Sequence, residues 1–428
     1  MSRIKKVEAL EILDSRGNPT VATQVELEDG SLGIGYTPSG ASAGEFEALE
    51  IHDGDTKRYD GKGVLRAVEN VNSILAKEVV GLEADDLRVV DRKMIELDGT
   101  ANKSKLGENA ILSVSLAVAK AAAKSERLPL YHYLAKIAGT LDESGQFTLP
   151  IPMMNILNGG KHAVGSTDFQ EFMIVPMKFE SFKESVRAGV EVFHALHKIL
   201  EERSYQPLVG DEGGFAPSLF SNEQAIELLT MAIKESGHRV GEDIFIALDP
   251  AASVFYYEDI YQLHRENRTF TSLELIDFYE VWTQKYPIIS IEDPLAENDW
   301  DGFREITSRL RDKVSIIGDD LYATNKDRLK KGIDQKSSTG ILIKPNQIGT
   351  LSETLETIMM AREAKMQYII SHRSGETEDS FIADLAVATG SGKVKTGAPC
   401  RGERTTKYNR LLWIEHELGS KAKMGTWQ

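Results

Sequence analysis

The chain has 428 residues, 41% of them hydrophobic and 27% charged, with a formal net charge of −16. That length exceeds one ordinary core and predicts two domains, one able to hold a barrel of roughly 250 residues. The acidic balance argues against non-specific nucleic-acid or anionic-membrane binding, which need basic surface, but permits an anionic substrate held by local Lys, Arg or metal.

The amino terminus, MSRIKKVEAL, passes straight from basic residues into a strand-like pattern with no apolar signal core. Ile4–Leu13, Thr20–Leu27 and Leu32–Thr37 read as a three-stranded meander with a turn at Glu28-Asp29-Gly30. The Gly33-x-Gly35 pair lacks the third glycine of a dinucleotide fingerprint. A Gly/Ser-rich loop, Pro38 to Gly44, precedes mainly helical sequence from Val64 to Ile137, with Pro129 placed to open one helix and Gly139 to end it. The Ala-rich run Asn109–Ala123 is broken by Lys120, and no apolar stretch is long enough to span a bilayer. The polar stretch Gly139–Gln146 reads as a linker. It divides the chain into an α+β domain, residues 1–138, and a larger domain, residues 139–428. The single cysteine, Cys400, excludes an intrachain disulfide and fits a reducing, cytoplasmic location.

After the linker, short apolar runs recur and end in charged residues: Asp249, Glu292, Asp319, Lys344, His372-Arg373 and Lys395, at intervals of 43, 27, 25, 28 and 23 positions. Such spacing fits consecutive βα units of a parallel sheet. Two earlier runs, Pro150–Leu157 and Phe172–Pro176, are too close for a crossover helix and predict an antiparallel hairpin. Together they give eight strands, enough for an α/β barrel of TIM type with its site at the carboxyl ends of the strands. The run Leu208-Val209 is read as loop.

Asp249, Glu292 and Asp319 at three neighbouring strand ends suit a hard cation with oxygen ligands, and no Cys/His cluster competes for a softer metal. Lys344 would be poorly solvated beside that charge; both effects lower its pKa and make it a candidate base. Arg373 with Ser374 offers a fork and a hydroxyl for a phosphate or carboxylate. Across the mouth lie Lys161-His162, Gln170-Glu171 and the glycine-flanked Asp211-Glu212. The combination describes proton abstraction beside a carboxylate, with metal stabilising the enolate-like intermediate and an acid opposite protonating the leaving group.

These residues resemble the enolase family over almost the full length. The motifs include Asp14-Ser15-Arg16-Gly17-Asn18-Pro19-Thr20, Gly210-Asp211-Glu212-Gly213-Gly214, Ser290-Ile291-Glu292-Asp293-Pro294 and Ser371-His372-Arg373-Ser374-Gly375-Glu376-Thr377-Glu378-Asp379. The resemblance implies an amino-terminal α+β domain (three-stranded meander plus helices) on a carboxy-terminal ββαα(βα)6 barrel. It also implies a hydro-lyase of glycolysis and gluconeogenesis that interconverts 2-phosphoglycerate and phosphoenolpyruvate. Lys344 would take the C2 proton, and Glu212, assisted by Glu171, would protonate the departing hydroxyl. Asp249, Glu292 and Asp319 would bind the first of two Mg2+ ions, and Ser42 would join the second. Lys395 would hold the substrate carboxylate and Arg373 and Ser374 the phosphate. His162 and His372 would line the pocket and Gln170 would sit near the first ion. A homodimer or ring of dimers is expected, and a surface or assembly role alongside catalysis is compatible with the sequence. Ala43, Val254, Pro345 and Gly402 depart from the common pattern.

Overall fold

The computed structural model describes residues 2–40, 44–141 and 144–427. Three antiparallel strands, β1 (Ile4–Leu13), β2 (Pro19–Leu27) and β3 (Leu32–Tyr36), form the expected meander. The sheet packs on the helix Glu108–Ser125, which is apolar almost all round and accordingly buried almost all round. Gly33 and Gly35 explain themselves here. A Cβ on either would run into the backbone of that helix, at Ala117 and Ser113, so the glycine pair serves close packing rather than nucleotide binding. Lys120, which breaks the apolar run, reaches out of the helix to Asp379 of the second domain at 2.5 Å. No helix among the described residues is long and apolar enough to cross a membrane.

The second domain is a closed eight-stranded barrel. Its strands are β4 (Ile151–Asn158), β5 (Glu171–Pro176), β6 (Ile244–Asp249), β7 (Ile288–Glu292), β8 (Ser315–Gly318), β9 (Gly340–Ile343), β10 (Gln367–Ser371) and β11 (Lys393–Lys395). They run around the wall as β7-β8-β9-β10-β11-β4-β5-β6. The helices Phe182–Glu202 and Asn222–Glu235 follow the first two strands, and one main helix then follows each of the other six, giving the order ββαα(βα)6. β5 is antiparallel to both neighbours, pairing Glu171 with Asn158 on one side and with Asp249 on the other. The short β4–β5 connection cannot carry a crossover helix, so the chain must turn back on itself. The inversion brings the first residue of β5 to the rim where the parallel strands end. Leu208-Val209 lies in a loop, with one isolated pairing between Val209 and Phe215.

The barrel interior is filled by inward side chains including Ile151, Met173, Ala247, Ile317, Leu342 and Ile369. Beneath them the segment Ala422–Met424 pairs with Phe147–Leu149, and Trp427 packs against the base. A filled floor leaves the opposite rim as the place for chemistry.

Candidate active site

A cavity at the carboxyl ends of the strands is lined by Asp249, Asp319, Lys344, Arg373, Ser374 and Lys395, and across it by His162, Gln170, Glu171, Glu212 and His372. The strand-end acids Asp249, Glu292 and Asp319 are 3%, 1% and 7% exposed. They do not meet as a bare trio. The Lys395 ammonium lies 2.8 Å from both oxygens of Glu292, 3.3 Å from Asp249 Oδ2 and 3.0 Å from Glu171 Oε2. Burial disfavours its charge, but the surrounding carboxylates, Glu171 foremost, hold it well above the ordinary lysine range. Asp319 is turned instead toward Lys344 and accepts from Gln347 Nε2 at 2.9 Å.

The donor set suits a hard divalent cation: all-oxygen, buried and already gathering positive charge. Among the described residues, the groups whose ligand atoms already lie within 4.8 Å of one another are Asp293/Asp319/Asp320 and His162/Glu171/Glu212, whereas the Asp249/Glu292/Asp319 trio is spread by its lysine contacts. The first is all carboxylate and could hold such an ion; the second includes an imidazole and suits a borderline metal better. Asp293 accepts from the Asp319 and Asp320 backbone N–H groups at 2.9 and 2.7 Å. Burial and the neighbouring Asp319 push Asp320 up to about 8.

Lys344 differs from expectation. Burial does lower its proton affinity, but its ion pair with Asp319 outweighs that, and the ammonium is held above its ordinary value. The expected lowering presumed a cation on Asp319; with that carboxylate turned to the lysine, the sign reverses. Pro345 opens the short helix Pro345–Ile348 directly after it, a position that tolerates proline.

Across the cavity, β5 and the 210–214 loop bring Glu171 and Glu212 together. Gly213 adopts φ +85°, and a Cβ there would lie 2.9 Å from Cys400 Sγ, so the loop bends as it does because that residue is glycine. His162 Nδ1 stands 3.7 Å from Glu171 Oε1 and 3.6 Å from Glu212 Oε1. Asn155 Nδ2 donates to Glu212 Oε2 at 2.8 Å. Burial, reinforced by the charge on Glu212, drives Glu171 well above the carboxylate range. Burial also opposes charge on Glu212, but His162, His372 and Arg404 hold it well below that range. Two buried carboxyls pushed in opposite directions retain one proton between them. Burial keeps both imidazoles neutral, with His372 down to about 4.

Arg373 is 5% exposed and Ser374 lies beside it, as the sequence suggested. The arginine is engaged by a residue the sequence did not single out: Glu47, from the first domain, accepts from its Nη1 at 2.8 Å and its Nη2 at 3.2 Å. Half-buried Gln170 reaches the rim because its backbone N–H donates to Asp249 O at 3.1 Å. Ser42 and Ala43 lie outside the described residues. Of the other departures, Val254 lines the cavity, and Gly402 has open space where a serine side chain would stand.

Sequence reasoning missed Glu47, Asn155 and Arg404. Only Glu47 carried a signal, as an acid among apolar neighbours just past the Gly/Ser-rich loop. Asp293 and Asp320 stand second in the acid pairs Glu292-Asp293 and Asp319-Asp320, and the strand spacing alone assigns them no role.

A TIM-type barrel whose rim sets lysines against buried carboxyls has the layout of an acid–base enzyme. Residues 4–134 match the family model described as "Enolase, N-terminal domain", and residues 146–427 match "Enolase, C-terminal TIM barrel domain". The chain belongs to the enolase family, and its activity is of the enolase type, that of a lyase.

Proposed function

We propose that this protein catalyses the reversible, Mg2+-dependent dehydration of 2-phospho-D-glycerate to phosphoenolpyruvate, the step used in glycolysis and gluconeogenesis. One observation carries the reading. β9, which Lys344 directly follows, and β5, which begins at Glu171, stand four strands apart in the eight-stranded wall, so base and acid face one cavity from opposite sides.

In this reading Lys344, neutral once Asp319 turns from it to a cation, accepts the C2 proton, and the Glu171–Glu212 pair gives up its shared proton to the departing 3-hydroxyl. Arg373 exchanges Glu47 for the phosphate, and Ser374 adds a hydroxyl; this fork favours a phosphorylated substrate over a plain carboxylate. Lys395 holds the substrate carboxylate. Mg2+ held by Asp249, Glu292 and Asp319 would supply charge that stabilises the enolate-like intermediate. His162, Gln170 and His372 wall the cavity, and Ser42 would serve a second ion. The 138/139 domain division, a cytoplasmic location, and a homodimer or ring of dimers belong to the same reading. So do surface or assembly partners beside catalysis.

The test is phosphoenolpyruvate absorbance growing from 2-phosphoglycerate when Mg2+ is added. A folded protein that gives no product at saturating Mg2+, yet acts on an unphosphorylated 2-hydroxy acid, would overturn the substrate assignment.

A further inference from the structure

Arg404, the third residue of the helix Gly402–Leu418, is fully buried and does not line the cavity itself. Its guanidinium ties two loops together. Nη1 lies 2.6 Å from His372 Nδ1 and donates to Arg373 O at 2.6 Å; Nη2 donates to Ser374 O at 2.5 Å and to Asp211 O at 3.1 Å. Arginine has donors and no acceptor. His372 Nδ1 must therefore present its lone pair, and the hydrogen of the neutral ring must sit on Nε2. That nitrogen is 3.5 Å from Glu212 Oε2, which also accepts from Asn155 at 2.8 Å. An oxygen facing two donors is a poor place for a carboxyl hydrogen. The other oxygen, Oε1, faces His162 and shares that imidazole with Glu171.

We infer that Arg404 is a positioning residue that fixes the Nε2–H tautomer of His372 and thereby leaves Oε1 as the oxygen on which Glu212 takes up the proton it shares with Glu171. The inference rests on the reading of Glu212 as proton donor. The same guanidinium holds the backbone just before Glu212 and just after His372, so it sets both the spacing and the polarity of the pair. Without it, His372 can turn its lone pair toward Glu212 Oε2. The proton is then drawn to the wrong oxygen, away from the leaving group. Abstraction at C2 by Lys344, across the barrel, does not pass through this chain of contacts.

The first measurement leaves Arg404 in place: nitrogen-15 NMR of the Mg2+-loaded wild type, with the His372 ring assigned by comparison with His372→Gln. The ring hydrogen is expected on Nε2 from acid to mildly alkaline pH. A hydrogen on Nδ1, or a doubly protonated ring, overturns the inference. The second uses Arg404→Met and Arg404→Lys at saturating 2-phosphoglycerate. Dehydration should fall by about 10²-fold or more in the methionine variant, the scale of a misplaced general acid. Exchange of the C2 hydrogen with solvent should stay within about threefold of wild type, since the Lys344 side supplies that step's separate rate enhancement. Lysine, which keeps a donor for Nδ1, should recover part of the dehydration rate. Parallel loss of exchange and dehydration would make Arg404 merely structural and overturn the inference. A wild type with Nε2–H that neither exchanges nor dehydrates 2-phosphoglycerate would sink the functional reading and leave the tautomer assignment standing.

Discussion

Glu47 sits on Arg373 as a phosphate would. The two side chains are 6% and 5% exposed and meet through both guanidinium nitrogens. The carboxylate comes from the first domain and the arginine from the rim of the second, so an arriving phosphate must displace an interdomain contact.

Glu47→Gln removes the compensating charge from beside a buried arginine. Stability without ligand should fall by on the order of 3 kcal/mol, as when one partner of a buried pair is lost. A phosphate-bearing ligand restores that charge, so thermal melts should show a larger ligand-induced shift in the variant than in the wild type, with a lower KM. Equal shifts would mean that Glu47 and phosphate do not compete.

His372 supplies a pH dependence. Burial holds its folded-state pKa at about 4, below the value of about 6.5 for an unfolded chain. The unfolded state therefore binds more protons between these limits, and the stabilising contribution is present above about pH 6.5 and lost as pH falls toward 4. The full effect is about 3 kcal/mol. Denaturant melts across that window should show a shallower acid loss in His372→Asn than in wild type; identical slopes would contradict the assignment.

At the other end of the barrel, Lys393 is 5% exposed, faces the Trp427 ring at 5.1 Å, and is lowered by burial to about 8. A base with depressed folded-state affinity costs stability at neutral pH, and the cost fades as pH rises from about 8 toward the free lysine value of about 10.4. Lys393→Met should therefore stabilise the protein at pH 7 by up to about 3 kcal/mol and have little effect near pH 11. A destabilised variant at pH 7 would show that the Trp427 contact outweighs the burial.

The strand-end acids and lysines were legible because a parallel barrel repeats one chemical punctuation at each rim position, and that repeat survives in sequence. Glu171 was harder, since it begins its strand; it became legible only through the short β4–β5 connection, which forces the inversion. The pKa shift of Lys344 has the opposite sign to the sequence expectation, because chain order does not say which carboxylate turns toward an amine. Glu47 and Arg404 act across a domain interface and from the first turn of a helix. No spacing rule connects them to residues more than 300 and about 30 positions away, so they waited for the fold.

The division of labour between Lys344 and Glu212 is tested most directly by following, in deuterated water with Mg2+, both C2-hydrogen exchange and dehydration of 2-phosphoglycerate. Lys344→Ala should lose both by about 10²- to 10⁴-fold with Mg2+ binding largely retained, whereas Glu212→Gln should lose dehydration and keep exchange. Exchange that survives in Lys344→Ala and vanishes in Glu212→Gln would contradict the assignment of base and acid.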